Sequence, residues 1–240
     1  MIFQTLFISD LHLSEKNTHL NALFDHFIEK TLAAKNIEAV YILGDFFDVW
    51  IGDDAMGDWE RSIARKLARL VSQNIPVYIM VGNRDFLMQS SFVNLAQAVL
   101  LSDPTTINLY ENRIVLKHGD DLCIADRSYQ WFRYFVRSNF IRRAYLALPI
   151  QWRRSVARQI RQKSSSRGMR AIYAQISLSK VKHLLQQYEA NWIIHGHTHC
   201  PQIEQISVNQ KHIILCDWNQ QGNQLIVSSD GKAFLDYFDI

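Results

Sequence analysis

Short apolar runs alternate along the chain with longer stretches of helical period. The runs at 2–9 (IFQTLFIS), 39–43 (AVYIL), 75–81 (IPVYIMV), 113–117 (RIVLK), 192–195 (WIIH), 213–216 (IILC) and 224–228 (QLIVS) are rich in Ile and Val. Their length and composition predict buried strands. Helical spacing predicts helices over 19–35, 59–74 and 171–189, the last with Ile172, Ile176, Val181 and Leu185 as its apolar stripe. Early β-α-β alternation followed by closely spaced strands predicts a layered α/β (α+β) protein, with sheets covered by helices. Residues 127–170 are helix-like and interrupted at Pro149, which predicts a helical hairpin. Ser164-Ser165-Ser166-Arg167-Gly168 is then its exit loop. The expected organisation is a core of residues 1–126 and 171–240 with 127–170 inserted.

Charge sharpens that division. The chain carries 26 Lys+Arg and 23 Asp+Glu, a net of +3. Twelve of the basic residues and none of the acidic ones fall between Arg127 and Arg170, leaving the remainder at −9. Tyr129, Trp131, Phe132, Tyr134, Phe135, Phe140, Tyr145 and Trp152 lie in the same stretch. Cations interleaved with aromatics suit a lipid headgroup region, a nucleotide or single-stranded nucleic acid. Hydrophobic residues at 48% and charged residues at 20% exclude disordered and fibrous classes. No apolar run approaches the roughly 18 residues of a membrane span. Three cysteines without zinc spacing predict free thiols in a reducing, cytoplasmic setting.

The candidate chemistry sits at the ends of the strand-like runs. Asp10-Leu11-His12, Gly44-Asp45-Phe46-Phe47-Asp48, Gly82-Asn83-Arg84-Asp85, His118-Gly119-Asp120 and His195-Gly196-His197-Thr198-His199 each follow one. Side chains just past strand C-termini converge on one crevice in α/β folds. Asp, His and Asn without Cys form a ligand set for divalent metals such as Mn²⁺, Fe²⁺ or Zn²⁺. Each motif alone is weak, but five in this order at strand ends are specific.

That order resembles the calcineurin-like metallophosphoesterase superfamily, across residues 10 to 199. The resemblance implies a β-sandwich flanked by helices, with two metals at its edge. One would be held by Asp10, His12, Asp45 and His199, the other by Asp45, Asn83, His118 and His197. Asp45 would bridge them, and a metal-activated water would attack phosphorus directly. Arg84 replaces the histidine common in the third motif; a guanidinium is suited to stabilising phosphoryl charge. Asp48, Asp85 and Asp120 are expected to orient histidines or backbone groups, and His195 to be structural. His19, His26, His183 and His212 read as surface histidines, and Trp50, Trp131 and Trp152 as packing residues.

Longer stretches around these motifs, including Ile42 to Asp54, His118 to Cys123 and Tyr129 to Arg133, resemble the UDP-2,3-diacylglucosamine pyrophosphate hydrolases of Gram-negative lipid A biosynthesis. The resemblance implies attack on the α-phosphorus, releasing UMP and 2,3-diacylglucosamine 1-phosphate. It makes 127–170 a lid over the glucosamine and acyl chains. Substrate contacts would come from Asn83, Arg84, Asp126, Ser164, Arg167, Arg170 and His197, and catalysis from Asp45, Arg84 and His197. The cofactor is expected to be two divalent ions, Mn²⁺ first among them. The partners are the lipid substrate and the anionic inner-membrane surface, met peripherally from the cytoplasm; no nucleic acid and no obligate protein partner are expected. The chain departs from the family at Ala125, where an Asp is usual, and in a shorter lid exit. The rivals weighed are a nuclease or dinucleoside polyphosphate hydrolase on the same metal site, and a non-enzymatic scaffold; the complete ligand set opposes the scaffold.

Overall fold

Alternation within the buried strands builds the core in layers. In the computed structural model, which describes residues 1–124, 127–166 and 176–240, strand β1 (Gln4–Ile8) turns Leu6 and Ile8 to one face and Phe7 to the other. Strand β2 (Ile37–Leu43) does the same with Val40 and Ile42 against Tyr41 and Leu43. A strand buried on both faces reads as a continuous apolar run, which is why these two were legible.

Helix α1 (Thr18–Ala33) leads to β2. Helix α2 (Asp58–Ser72), β3 (Val77–Met80), α3 (Ser90–Leu95) and β4 (Val99–Leu101) follow. Strands β1 to β4 run parallel and, with antiparallel β10 (Gly222–Ser228) and β11 (Ala233–Phe238), form one sheet ordered β11-β10-β1-β2-β3-β4. The second sheet is β5-β6-β7-β9-β8, from β5 (Thr105–Leu109), β6 (Asn112–Lys117), β7 (Trp192–His195), β8 (Gln202–Ser207) and β9 (Gln210–Ile214). Phe7, Tyr41 and Met80 of the first sheet meet Ile114, Leu116, Trp192 and Ile213 of the second in a shared core. Phe7, Tyr41 and Tyr78 stack in series at 4.9 and 4.6 Å. Each such buried side chain contributes about 1.5–3 kcal/mol. The helices α1 to α3 cover the outer face of the first sheet. Helix α7 (Leu178–Gln187) covers the second, through Val181, Leu184 and Leu185 on Val115 and Ile193. The layering is therefore α/β/β/α, as the sequence predicts.

The expected strands are present, with differences at their ends. The run at 213–216 belongs to a strand that begins at Gln210 and ends at Ile214, so Leu215 and Cys216 already lie in a loop. Strands β4, β5, β8 and β11 are not among the expected runs: all four lie at sheet edges, largely exposed or half exposed, and β4 is only three residues long. The segment after Arg127 is not a hairpin but three helices: α4 (Arg127–Val136), α5 (Asn139–Leu146) and α6 (Ile150–Ser166). Ser138 adds the unforeseen break by capping α5, its Oγ accepting from the Ile141 amide at 3.4 Å. Ser164 to Ser166 continue α6 rather than forming an exit loop. Ala125, Asp126, Arg167, Gly168, Arg170 and Ile172 lie outside the described residues.

Candidate metal centre

Five strands end at one edge of the two sheets, and each hands over directly to a motif. β1 delivers Asp10, β2 Asp45, β3 Asn83, β6 His118 and β7 His197. Backbone hydrogen bonds join the first two loops: the amides of Asp10 and His12 donate to the carbonyls of Gly44 and Asp45, both at 3.0 Å. The Gly196 amide donates to the His118 carbonyl at 2.9 Å, joining the last two.

This close packing bends the backbone. Asp10, His12, Asp45, His197 and His199 all have positive φ, between 50° and 70°. A non-glycine residue there is held by its surroundings at a cost of about 1–3 kcal/mol. Such strain is tolerated where side chains must be aimed at a common point.

Two triads result. Ligand atoms of Asp10, His12 and His199 lie within 4.8 Å of one another, and so do those of Asp45, His118 and His197. Asn83 Oδ1 is 2.9 Å from His118 Nε2, and Asp45 Oδ1 is 3.6 Å from the same nitrogen. All seven predicted ligands are thus gathered at one edge. Both ring nitrogens of His12 are buried without a hydrogen-bond partner. An imidazole in that position is satisfied by a cation, so the residues fit a divalent metal.

The electrostatics favour positive charge at this place. Burial pushes Asp45 up to about 6, with Asp10 and Asp85 adding to the rise against His118 and Arg84. Burial opposes a proton on His199, but Asp10 and Asp217 raise it to about 10. His118 is raised likewise by Asp45 and Asp10 against the cost of burial. His197 is depressed to about 3 by burial and by His118, which keeps its imidazole neutral and able to ligate.

Neighbouring groups aim the ligands. His118 Nδ1 donates to the Leu43 carbonyl at 3.0 Å, which leaves Nε2 toward the site. His199 Nδ1 lies 3.3 Å from Asp217, a partner that sequence reading did not assign. Asp10 Oδ2 accepts from Ser9 Oγ and from the His197 amide. Asp85 accepts from the amides of Gly82, Phe46 and Phe47 at 2.6, 2.8 and 3.3 Å, as expected of a residue that orients backbone. Arg84 is 26% exposed; its Nε is 3.4 Å from Asp45 and its Nη1 donates to Asp48 at 3.0 Å.

Asp120 does not serve His118 as expected. It accepts from Arg133 Nε at 2.7 Å and Tyr129 Oη at 3.0 Å, both in α4, and from Arg137 Nη2 at 3.0 Å, in the turn that follows it. The spacing 129, 133, 137 is one helix face, a signal present in the sequence. Arg161 pairs with Asp48 at 2.5 Å, and Arg153 with Asp54. The basic segment therefore spends part of its charge on core carboxylates rather than on an external polyanion. Ser164 falls within α6, while Asp126, Arg167 and Arg170 lie outside the described residues.

Two histidines read from sequence are corrected or refined. His212 is buried, not on the surface, with Nε2 2.8 Å from His195 Nε2. Strand β9 beside β7 places them together, and His195 is structural as expected. Trp50 packs at 5% exposure, but Trp131 and Trp152 are 65% and 66% exposed and lie outside the core.

The fold and this centre define a phosphoesterase of the calcineurin-like class, and the family model described as calcineurin-like phosphoesterase matches residues 3–201. A solved archaeal phosphodiesterase shares the fold, with a TM-score of 0.54 at 11% identity over 98% of this chain and 100% of that one. A protein of Shewanella sp. (strain ANA-3) named UDP-2,3-diacylglucosamine hydrolase is 40% identical over 95% of both chains. A Histophilus somni (strain 2336) protein of the same name is 37% identical over 97% of this chain and 99% of its own. The chain belongs to the UDP-2,3-diacylglucosamine hydrolase family within the calcineurin-like phosphoesterases.

Proposed function

We infer that the protein hydrolyses the pyrophosphate bond of UDP-2,3-diacylglucosamine in lipid A biosynthesis, releasing UMP and 2,3-diacylglucosamine 1-phosphate. The observation that carries this reading is the pair of adjoining triads, Asp10–His12–His199 and Asp45–His118–His197, in a near full-length member of the family. Asp10, His12, Asp45 and His199 would hold one divalent ion, and Asp45, Asn83, His118 and His197 the other, with Asp45 shared. Bound there, divalent ions supply Lewis acidity toward phosphoryl oxygens and lower the pKa of water.

The chain's own groups do the rest. Arg84, braced by Asp48, presents guanidinium N–H groups to the charge that develops on the α-phosphoryl oxygens. His197 faces the substrate side beside Tyr129, whose ring is stacked 6.2 Å away. Asn83 joins Arg84 on the phosphate, while Asp126, at the edge of the core, contacts the glucosamine and Ser164, Arg167 and Arg170 grip the substrate from the lid, 127–170. Ala125 and the shorter lid exit alter that grip rather than the chemistry.

The lid also explains the exposed aromatics. Trp131, Tyr134, Phe135, Phe140 and Trp152 are all more than half exposed, among helices rich in arginine. Such a surface suits acyl chains and anionic headgroups, with roughly 1 kcal/mol per well-placed cation. No described helix is long and apolar enough to cross a membrane. Peripheral binding to the inner membrane is therefore expected to weaken as salt rises; flotation with anionic vesicles that ignores salt would remove the electrostatic part of this reading.

The function is tested by following UMP and lipid monophosphate from UDP-2,3-diacylglucosamine with metal-stripped protein and added Mn²⁺, Mg²⁺ or Zn²⁺. Metal-dependent release of both products is expected, greatest with Mn²⁺. No release by fully metallated protein would reassign the same centre to another phosphate ester.

A further inference from the structure

Among the described residues, the largest side chain buried to within 2% is a charged one, and it lies in the inserted segment. Arg153, in the first turn of α6, is 1% exposed. Its Nε donates to the Leu148 carbonyl at 2.9 Å. Nη1 donates to the Ile51 carbonyl at 2.6 Å and to Asp54 Oδ1 at 2.8 Å, and Nη2 to Asp54 Oδ2. The Arg153 carbonyl in turn accepts from Tyr145 Oη at 3.0 Å, which ties α5 to the same point.

The core side of this contact is built to receive it. Gly52 has φ of 123°, and a Cβ there would stand 2.6 Å from Arg153 Nη1 and 2.7 Å from Leu146 Cδ2. The loop is held from beneath. Trp50 Nε1 donates to Asp53 at 3.0 Å, and Asp53 accepts from the amides of Gln89 and Ser91 at 2.9 and 2.8 Å. The Trp50 amide donates to the Arg84 carbonyl at 3.0 Å. At its other end this loop starts from Asp48, which takes both Arg84 and Arg161. Helix α6 therefore meets one rigid loop twice, through Arg153 at Asp54 and through Arg161 at Asp48.

An ion pair between a buried guanidinium and a half-exposed carboxylate adds little stability, since desolvation of the one and solvent screening of the other consume most of its attraction. What a bidentate fork on a fixed loop does supply is a single register. We propose that Arg153 is a positioning residue for hydrolysis of the lipid nucleotide: its fork on Asp54 and Ile51 fixes α6 across the loop that follows Asp48, and thereby sets where the lid lies over the metal centre. The proposal rests on reading 127–170 as the lid.

The test compares Asp54→Asn, Arg153→Met, Arg153→Lys and the Asp54→Asn/Arg153→Met double variant, each loaded with Mn²⁺. Asp54 is 56% exposed, so its variant carries little folding risk; Met keeps the Arg153 volume. Misplacing a substrate-holding element costs about ten- to a hundred-fold, so kcat/KM for UMP release is expected to fall by that amount in Asp54→Asn and Arg153→Met. Hydrolysis of bis(p-nitrophenyl) phosphate, which needs no lid, stays within about two-fold of wild type, as does metal content. Arg153→Lys recovers part of the loss, and the double variant is no worse than the singles. Lipid-nucleotide turnover at the wild-type level in both single variants overturns the proposal, and so does a parallel fall on both substrates, which marks general damage. Wild-type protein that hydrolyses the small ester but releases no UMP overturns the functional reading instead, and this inference with it.

Discussion

Replacing His118 by alanine is expected to lower UMP release by on the order of 10³-fold, about 4 kcal/mol of barrier, without unfolding the protein. The side chain is fully buried and joins both parts of the site: Nδ1 to the Leu43 carbonyl at 3.0 Å, Nε2 to Asn83 and Asp45. Its loss strips one triad of an imidazole and leaves the Leu43 carbonyl without this donor, which costs about 1–3 kcal/mol of stability. A fold with three hydrophobic clusters tolerates that cost. Elemental analysis of the purified variant is expected to show close to one metal per chain where the wild type shows close to two. Asn83→Ala follows the same logic with a smaller loss of metal. Arg84→Ala is the contrast, because its guanidinium touches carboxylates but is no ligand. That variant retains its metal and loses about 10²-fold in turnover rather than in KM, since the interaction belongs to the transition state. Near-normal turnover in His118→Ala would take it out of the metal set, and an effect of Arg84→Ala confined to KM would make it a binding residue.

The sequence exposes this site because its candidate ligands sit just after strands buried on both faces. The strands before Asp10, Asp45 and His197 carry the apolar stretches LFI, AVYIL and WII, which place the strand ends to within a residue or two and the motifs with them. Edge strands such as β5 (TTINL) and β8 (QIEQIS) are half exposed, and their composition carries no such mark. What stays hidden is partner choice across distance. Arg153 and Asp54 are separated by 99 positions, and nothing local tells a guanidinium that turns inward from one that faces a membrane. The burial of His212 is hidden for the same reason: its environment depends on β9 pairing with β7, which brings His195 beside it. The face Tyr129–Arg133–Arg137 was legible as periodicity, but its acceptor, Asp120, lies in another element. Charge counted along the chain overstates what is available to a ligand whenever the fold supplies carboxylates of its own.

The second large effect is expected from the smallest substitution, Gly82→Ala. Gly82 follows β3 and passes against the second motif in backbone contact. A Cβ at this position would collide with the Asp45 amide nitrogen and Oδ1 and stand 2.9 Å from Asp45 Cγ. The amide nitrogen cannot swing away as a flexible side-chain tip would. Nor can Gly82 itself retreat, because its N–H is held by Asp85 at 2.6 Å and its carbonyl by Arg137 at 3.1 Å. The methyl must therefore displace the Asp45 carboxylate or part the second and third motif loops. Overpacking of this kind costs about 1–3 kcal/mol, which in a chain of this size lowers Tm by roughly 2–4 °C per kcal/mol. Turnover is expected to fall by at least about 10²-fold, because a displacement near 1 Å at the reacting centre has that effect. The decisive reading is Tm with and without saturating Mn²⁺. Metal that binds the folded state raises Tm with the logarithm of its affinity, so the Mn²⁺-induced rise should be smaller in Gly82→Ala than in wild type. A variant with wild-type turnover and an undiminished metal-induced rise would show that the two loops have room for a methyl group, and that Asp45 does not depend on this contact for its place at the centre.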